Sequence, residues 1–272
     1  MQMIWSRRTC AGAFLSILLM FLIPAQVTGY VAAQSPPPFE AVIGTLNSKE
    51  TGPPGTAFMF VLRQTQPPPM GGIVITVRGP SAWNQGAPLE LRSRQFGLAG
   101  DWFWFSWMDR VAAVTGDYVV EAAIDGTTRR VRTSVDATKL LQRPRDITLE
   151  SAGRTEVRVS WAVVPEAVTY YALLTRIDTG GFWTGVTGWY TKGTSVTFPA
   201  LNLRPGLEHL VELVAITADI TSITPPPRIP DELRVSWSTS PRFRVTSAGV
   251  LRTRHLQADG LRTGNRADTT LN

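Results

Sequence analysis

The sequence predicts an all-β protein built from two tandem antiparallel β-sandwich domains. Apolar residues recur at every second position in many short stretches, which is the pattern of strands with one face on a core. Turn signals separate these stretches, and the chain is rich in turn residues, with 23 Gly and 20 Pro. A length of 272 residues is enough for two domains of about a hundred residues each, plus flanking segments.

The first 33 residues have the pattern of a signal peptide. Arg7 and Arg8 precede an apolar run over residues 11–23, and Val31 and Ala33 place small residues at the −3 and −1 positions of a cleavage site. The run is shorter than the roughly 20 residues of a membrane-spanning helix. We therefore expect cleavage after Ala33, the alternative being an uncleaved anchor. The predicted route is general secretion to the periplasm or cell surface, with no transmembrane segment in the mature chain.

Cysteine usage agrees with an exported bacterial protein. Cys10 is the only cysteine in the sequence, and it precedes the apolar run of the leader. The mature chain therefore has no thiol, no disulfide and no cysteine metal ligand. Its stability must come from hydrophobic cores, which two sandwiches of this size can supply.

The net charge of +6 lies mostly outside the predicted domains. Two Arg lie in the leader, and four Arg against two Asp lie in the stretch from residue 246 onward. The body retains 21 basic and 19 acidic residues, a net charge of +2. Nucleic-acid binding needs a clustered basic stripe, so this distribution argues against a nucleic-acid partner.

The first sandwich is predicted over residues 39–142, after a stiff Pro-rich spacer at residues 34–38. Its expected strands are 39–46, 57–64, 73–77, 89–94, 102–107, 118–124 and 128–135. The stretch VTGDYVVEA resembles the start of strand F in an immunoglobulin-like domain, with Tyr118 at the corner and Val120 where antibody domains carry Cys. Because that Cys is absent, the resemblance is to bacterial immunoglobulin-like modules.

The second sandwich is predicted over residues 143–246. Its expected strands are 147–150, 157–161, 170–177, 182–190, 196–198, 210–216 and a last strand near residue 243. Two of these strands alternate apolar residues strictly; they are Val157, Val159 and Trp161, and then Val211, Leu213 and Ala215. EVRVSW together with LRPGLEHLVELVAI resembles strands B and F of a fibronectin type III domain, in which a strand B Trp fills the core. His209 stands where that family usually has Tyr.

Two segments flank the last strands of this second domain. The Pro-rich stretch 221–234 is expected to be a loop at one end of the sandwich, either a recognition loop or a plain spacer. Its candidate contact residues are Pro225, Pro226, Pro227 and Arg228. Residues 247–272 lose both aromatics and alternation, so a disordered tail is predicted.

The sequence offers no candidate catalytic, cofactor-binding or metal-binding residues. The mature chain has His209 at a strand start and His255 in the tail, which do not form a metal pair. No phosphate loop or dinucleotide fingerprint is present, and the spacing of the carboxylates selects no catalytic pair. The prediction is a protein that is not an enzyme and needs no cofactor.

The aromatic run over residues 102–107 is the most distinctive chemical feature. If Tyr118 marks the corner, immunoglobulin-like spacing points Phe103 and Phe105 inward and the two neighbouring Trp outward. The neighbouring strand from residue 57 to 62 is apolar on both faces, so an extensive apolar surface must be covered. The candidate interface residues are Trp102, Trp104, Met59 and Val61. The cover could be the second domain, a partner protein or second copy, or a sugar stacked on the Trp rings.

These observations predict an exported, non-catalytic binding or structural protein of the bacterial cell envelope. It would act through contacts with an envelope or extracellular protein, including a second copy of itself, as a scaffold or adhesion module. The alternative is a carbohydrate-binding accessory protein that uses exposed Trp platforms.

Overall fold

Strands joined by tight turns form three sheets in the part of the chain that the structure describes. The computed structural model describes residues 39–63, 73–92, 102–124, 126–152, 156–177, 181, 183–199, 203–221, 228–245 and 251–253. The strands are β1 (Phe39–Asn47), β2 (Gly55–Leu62), β3 (Val74–Arg78), β4 (Leu89–Arg92), β5 (Trp102–Ala112), β6 (Gly116–Ile124), β7 (Thr127–Val135), β8 (Thr148–Ser151), β9 (Val157–Ser160), β10 (Thr169–Ile177), β11 (Trp183–Thr191), β12 (Ser195–Phe198), β13 (Glu208–Ile216), β14 (Leu233–Thr239), β15 (Phe243–Val245) and β16 (Leu251–Thr253). A 3-10 helix at Trp83–Gly86 lies between β3 and β4.

The first sandwich packs the strands β1, β2 and β5 against a four-stranded sheet of order β4-β3-β6-β7. Trp83 is buried in its core, where the indole N–H donates to Thr56 Oγ1 at 3.1 Å and the ring meets Tyr118 edge-on at 5.3 Å. The Tyr118 hydroxyl donates to the carbonyl oxygen of Val114 at 2.8 Å. This bond confirms that Tyr118 occupies a corner, because it fastens a strand start to the chain four residues upstream.

The second sandwich packs the sheet β8-β9-β12 against the strands β11, β10, β13 and β14. Its core contains the two alternating sets that the sequence singled out, Val157, Val159 and Trp161 with Val211, Leu213 and Ala215. Trp161 packs against Tyr170 with ring centroids 5.3 Å apart. The predicted core of this domain is therefore confirmed, and the domain is a β-sandwich.

The two sandwiches have the same connectivity. In each, the first, second and fifth strands form one sheet, and the other sheet has the order fourth, third, sixth, seventh. In an immunoglobulin constant-type domain the fourth strand belongs to the sheet of the first two. The immunoglobulin-like assignment of the first sandwich is therefore not confirmed; the pair looks like one fold used twice.

Strand β14 joins the sandwiches into one continuous sheet. It pairs antiparallel with β13 and parallel with β1, where Gly44 lies opposite Leu233 and Asn47 opposite Ser236. The resulting order is β11-β10-β13-β14-β1-β2-β5. Both sandwiches belong to one compact unit. Strand β14 was not among the predicted strands: the Pro-rich stretch 221–234 was expected to be a loop, and the next strand was expected only near residue 243.

The connection between the sandwiches, which is the segment between β7 and β8, is hydrogen-bonded to both strands of this β1–β14 joint. Thr45 Oγ1 donates to the carbonyl oxygen of Lys139 at 2.9 Å, and Asn47 Nδ2 donates to that of Leu141 at 2.9 Å. From the other strand, Ser236 Oγ donates to the carbonyl oxygen of Gln142 at 2.7 Å. The Leu141 side chain is fully buried in the second core, although the predicted boundary placed it in the first domain. The connection is thus part of the structure and holds both strands of the joint.

The continuous sheet has a second apolar face, which we call the outer face. The two sandwich cores lie on one side of the sheet, and the residues that alternate with them point to the other. This set comprises Val42, Leu46, Ala57, Met59, Val61, Phe103, Phe105, Tyr171, Leu173, Val214, Ile216, Leu233 and Val235. Each is at most 8% exposed. Strand β13 is therefore buried on both faces and not on one.

Two further points concern the ends of the chain. Strand β16 pairs with β15, so the expectation that everything after residue 246 lacks structure is wrong for Leu251–Thr253. The pairing supplies backbone hydrogen bonds that need no apolar side chains. The predicted leader and spacer, and the remainder of the tail, lie outside the described residues. Within the described ranges, no helix is long and apolar enough to span a membrane.

Candidate functional site

The predicted aromatic interface is wrong in its inside–outside assignment. Trp104 is 5% exposed and belongs to the first core, where its ring centroid lies 5.5 Å from that of Phe60. Phe103 and Phe105 point instead to the outer face. The prediction took its phase from Tyr118, which lies on a strand of the opposite sheet. The residues of one sheet that face the core do not determine which residues face it in the other sheet, because the loop between them can have any length. The predicted alternation in β5 was therefore shifted by one residue.

Two other members of that predicted interface, Met59 and Val61, lie on the outer face. In the β2–β5 register, Met59 pairs with Phe105 and Val61 with Phe103, and all four lie on the outer face. Trp102 pairs with Leu62. Met59 and Val61 have no solvent exposure, so they offer no open surface in this structure. The four predicted residues therefore do not form one patch.

Of the four candidate contact residues in the Pro-rich loop, one lies within the described residues. Pro225, Pro226 and Pro227 lie outside the described residues, and Arg228, the first residue after that gap, is exposed. The structure provides no contact that selects this loop as a recognition site.

A buried carboxylate lies on the outer face of the second sandwich. Glu212 is 3% exposed and accepts hydrogen bonds from Thr175 Oγ1 at 2.9 Å and Trp237 Nε1 at 3.1 Å. Burial, with smaller contributions from the neighbouring Tyr190 and Glu212, raises the pKa of Tyr171 far above its ordinary value. One feature of the sequence marks this group, namely a charged residue between apolar neighbours in a strand.

His209 takes over the structural role that the family resemblance assigns to a corner Tyr. Its Nδ1 lies 3.1 Å from the carbonyl oxygen of Leu207, and its Nε2 accepts from the backbone N–H of Arg204 at 3.5 Å. The ring stacks on Phe243 with centroids 5.7 Å apart. Burial lowers the pKa of His209, with a smaller contribution from nearby Arg176. A neutral imidazole that donates from Nδ1 and accepts at Nε2 fits this environment.

Chemistry beyond binding has little support among the described residues. They contain no group of three or more His, Cys, Asp or Glu side chains that could hold a metal ion. Both ring nitrogens of His209 are engaged by the backbone, and the Glu212 carboxylate is enclosed by Thr175 and Trp237. Neither group has the open access that a general base needs.

The edge strand β11 forms one end of the continuous sheet and carries exposed aromatic residues. Among the described strands, β11 pairs with β10 alone. Its nine residues include no charge. Gly188, Trp189 and Tyr190 are consecutive exposed residues, with Trp189 48% and Tyr190 36% exposed. A free strand edge presents unpaired N–H and C=O groups, which can pair with a further strand.

Other long edge strands carry the charges that usually prevent such pairing. Strand β7 has Arg129, Arg130 and Arg132, and β5 has Asp109 and Arg110 near its end. Charged side chains on an edge strand discourage the addition of another strand. Strand β11 is as long as β7 and differs from both in carrying no charge.

The geometry of β11 is set by its neighbour β10. Tyr190 lies opposite Tyr171 with ring centroids 4.6 Å apart, and Leu173 lies opposite Gly188. A Cβ at Gly188 would overlap the Tyr171 ring, so only glycine fits there. A bulge at Val186 interrupts the register and leaves residues 187–191 as the regular part of the edge. Tyr190 and Gly188 thus share the outer face, and Trp189 points to the opposite side.

Comparisons with known proteins identify no family. No family model matches the chain, and no curated protein matches it. Among solved structures, a two-domain fibronectin type III segment from chicken tenascin is similar at 14% identity and a TM-score of 0.26, covering 76% of this chain and 99% of that one. A cytokine receptor complex is similar at 14% identity and a TM-score of 0.30, covering 77% of this chain and 97% of that one. The description of both domains as β-sandwiches accordingly rests on the strand order and register given above.

Proposed function

We propose that this chain is an exported, non-catalytic binding or structural protein of the bacterial cell envelope, acting through protein–protein contacts as a scaffold or adhesion module. The observation that carries this proposal is the uncharged, exposed edge of β11 at the end of a sheet that runs through both sandwiches. A sheet with an unpaired edge strand can bind an extended segment of a partner protein through main-chain hydrogen bonds. The signal-peptide pattern of the first 33 residues supports export to the periplasm or the cell surface.

The alternative proposal, a carbohydrate-binding protein, relied on two Trp side chains, and one of them is not accessible to a sugar. Trp104 is buried in the first core and cannot offer a ring to a sugar. Trp189 and Tyr190 are exposed, but they are consecutive in a strand and point to opposite faces. Two rings on opposite faces do not make one stacking platform, so protein binding is the better proposal.

The experiment is site-specific photo-crosslinking in a bacterial host that exports the chain. A benzophenone amino acid replaces Trp189 on β11 or, as the matched control, Thr128 on the Arg-rich edge strand β7. We expect protein adducts from position 189 and none from position 128, in a periplasmic or surface fraction. N-terminal sequencing of the same material should begin at Gln34. Retention in the cytoplasm with an intact leader, or equal adducts from both positions, would contradict the proposal.

A further inference from the structure

We propose that the partner of the β11 edge is a second copy of this chain, paired antiparallel about a two-fold axis at Trp189. This inference rests on the proposed function, since it names the occupant of the same edge. An isologous dimer requires a patch that is complementary to itself. The regular half of β11, residues 187–191, meets that requirement in register, charge and exposure.

The register follows from placing Trp189 opposite its own copy. Tyr190 then lies opposite Gly188 of the second copy, and Thr187 lies opposite Thr191 of that copy. Directly opposite residues in an antiparallel pair share a face, so each contact is between side chains on the same side of the sheet. On the outer face the Tyr171 ring already covers Gly188, so Tyr190 of the second copy adds a further aromatic ring to that side of the pair. On the other face, two Trp rings meet at the axis.

The charges favour self-pairing at β11 over self-pairing at β7. Like charges directly opposite each other destabilise a strand pair. Two β7 strands in antiparallel contact would bring Arg129, Arg130 and Arg132 against the same basic residues of the copy. Two β11 strands bring no charge together over nine residues.

The residues around the proposed axis are exposed. Within β11, Gly188, Trp189 and Tyr190 are exposed, as are Thr184 and Gly185 on the far side of the bulge, and the flanking Thr187 and Thr191 are half-buried. The large rings retain substantial accessible area, with Trp189 at 48% and Tyr190 at 36%. Burial of these rings at the axis supplies the apolar contact, and the backbone groups of the free edge supply the hydrogen bonds. The contact is small, so we expect a weak dimer rather than an obligate one.

The test is a charge swap at the axis. Sedimentation of the purified full chain should show a concentration-dependent dimer below about 1 mM. Trp189→Lys places two like charges directly opposite each other and should weaken the dimer about tenfold or more. Trp189→Glu alone should do the same, and an equimolar mixture of the two variants should restore association as a heterodimer. Thr128→Lys on β7 is the matched control and should leave the dimer unchanged. Circular dichroism shows whether each variant is folded.

Each outcome decides the matter. A wild-type chain that stays monomeric at 1 mM, or a dimer that Trp189→Lys does not weaken, overturns the proposal. Failure of the Lys and Glu variants to associate with each other rules out the two-fold at Trp189. Crosslinking from position 189 to a different protein, with no homodimer, overturns the second copy as partner and leaves the proposed function standing.

Discussion

A single methyl group at Gly44 should separate the two sandwiches. Gly44 lies in β1 opposite Leu233 of β14, at the parallel joint that makes the sheet continuous. A Cβ at this position would overlap the carbonyl oxygen of Leu233 and lie 2.6 Å from its carbonyl carbon and 2.7 Å from its Cβ. Backbone atoms cannot turn away as a flexible side chain can, so Gly44→Ala must move one strand from the other.

The magnitude follows from the contacts that cross the joint. To bring the Cβ to an ordinary 3.4 Å from the carbonyl carbon, the strands must part by about 0.8 Å or more. A hydrogen bond of 2.9 Å lengthened by that amount reaches about 3.7 Å, which is no longer a hydrogen bond. The backbone hydrogen bonds of the parallel β1–β14 pair cross this joint, and the connection is bonded to both strands through Thr45, Asn47 and Ser236. At about 1 kcal/mol for each, the loss of three such bonds costs roughly 3 kcal/mol.

The assay is calorimetric unfolding of the exported chain. We expect Gly44→Ala to lower the free energy of unfolding by about 3 kcal/mol or more and to replace one cooperative transition with two. Gly185→Ala is the matched control, because it is also a strand glycine but its Cβ would be in ordinary contact, 3.4 Å from a Leu173 methyl group. A single transition in Gly44→Ala, shifted no more than in Gly185→Ala, would refute the idea that the joint couples the sandwiches.

Three further changes test the cores and corners. Trp104→Ala should destabilise the chain by about 3–5 kcal/mol in urea unfolding, because a buried aromatic is removed from the first core, whereas Trp189→Ala should cost much less. Tyr118→Phe should cost roughly 1 kcal/mol in the same assay, because the bond to the carbonyl of Val114 is lost; no change would mean that the corner bond contributes nothing. His209 has a pKa below that of the unfolded chain, about 6.5, so the unfolded state binds more protons as the pH falls through that value. Stability should therefore be fully present above about pH 7 and decrease below about 6.5, by at most 1.4 kcal/mol per pH unit from this group. His209→Gln should make that part of the pH profile flat, and an unchanged profile would contradict the assignment.

The pattern of alternation predicted most strands and the second core, and its limits are visible in particular residues. Val157, Val159 and Trp161 could be assigned to the core, because their periodicity and the turn signals belong to one short stretch. The phase of β5 could not be assigned, since Trp104 and Phe105 are both large and apolar and only the register with β2 decides which faces the core. Strand β14 alternates in sequence, as Leu233, Val235 and Trp237, but it follows a Pro-rich stretch and its β1 partners are 189 residues away (Gly44 opposite Leu233, 233 − 44).

The free edge of β11 was predicted as a strand but not as a site. Which strand lies at an edge depends on how the sheets assemble, and that is a tertiary property. Once the order of strands is known, the lack of charge in β11 and the Arg residues in β7 become informative.

The parallel pairing of the first and fourteenth strands has a mechanical consequence. Neighbouring strands that run in the same direction are pulled in opposite directions when tension is applied to the start of one and the end of the other. Tension between Phe39 and Thr239 would therefore shear β1 against β14, loading their hydrogen bonds together instead of opening them one after another. Resistance to force is governed by the rate of unfolding. A chain held at these two points should therefore unfold only at high force, because the hydrogen bonds between β1 and β14 must break together.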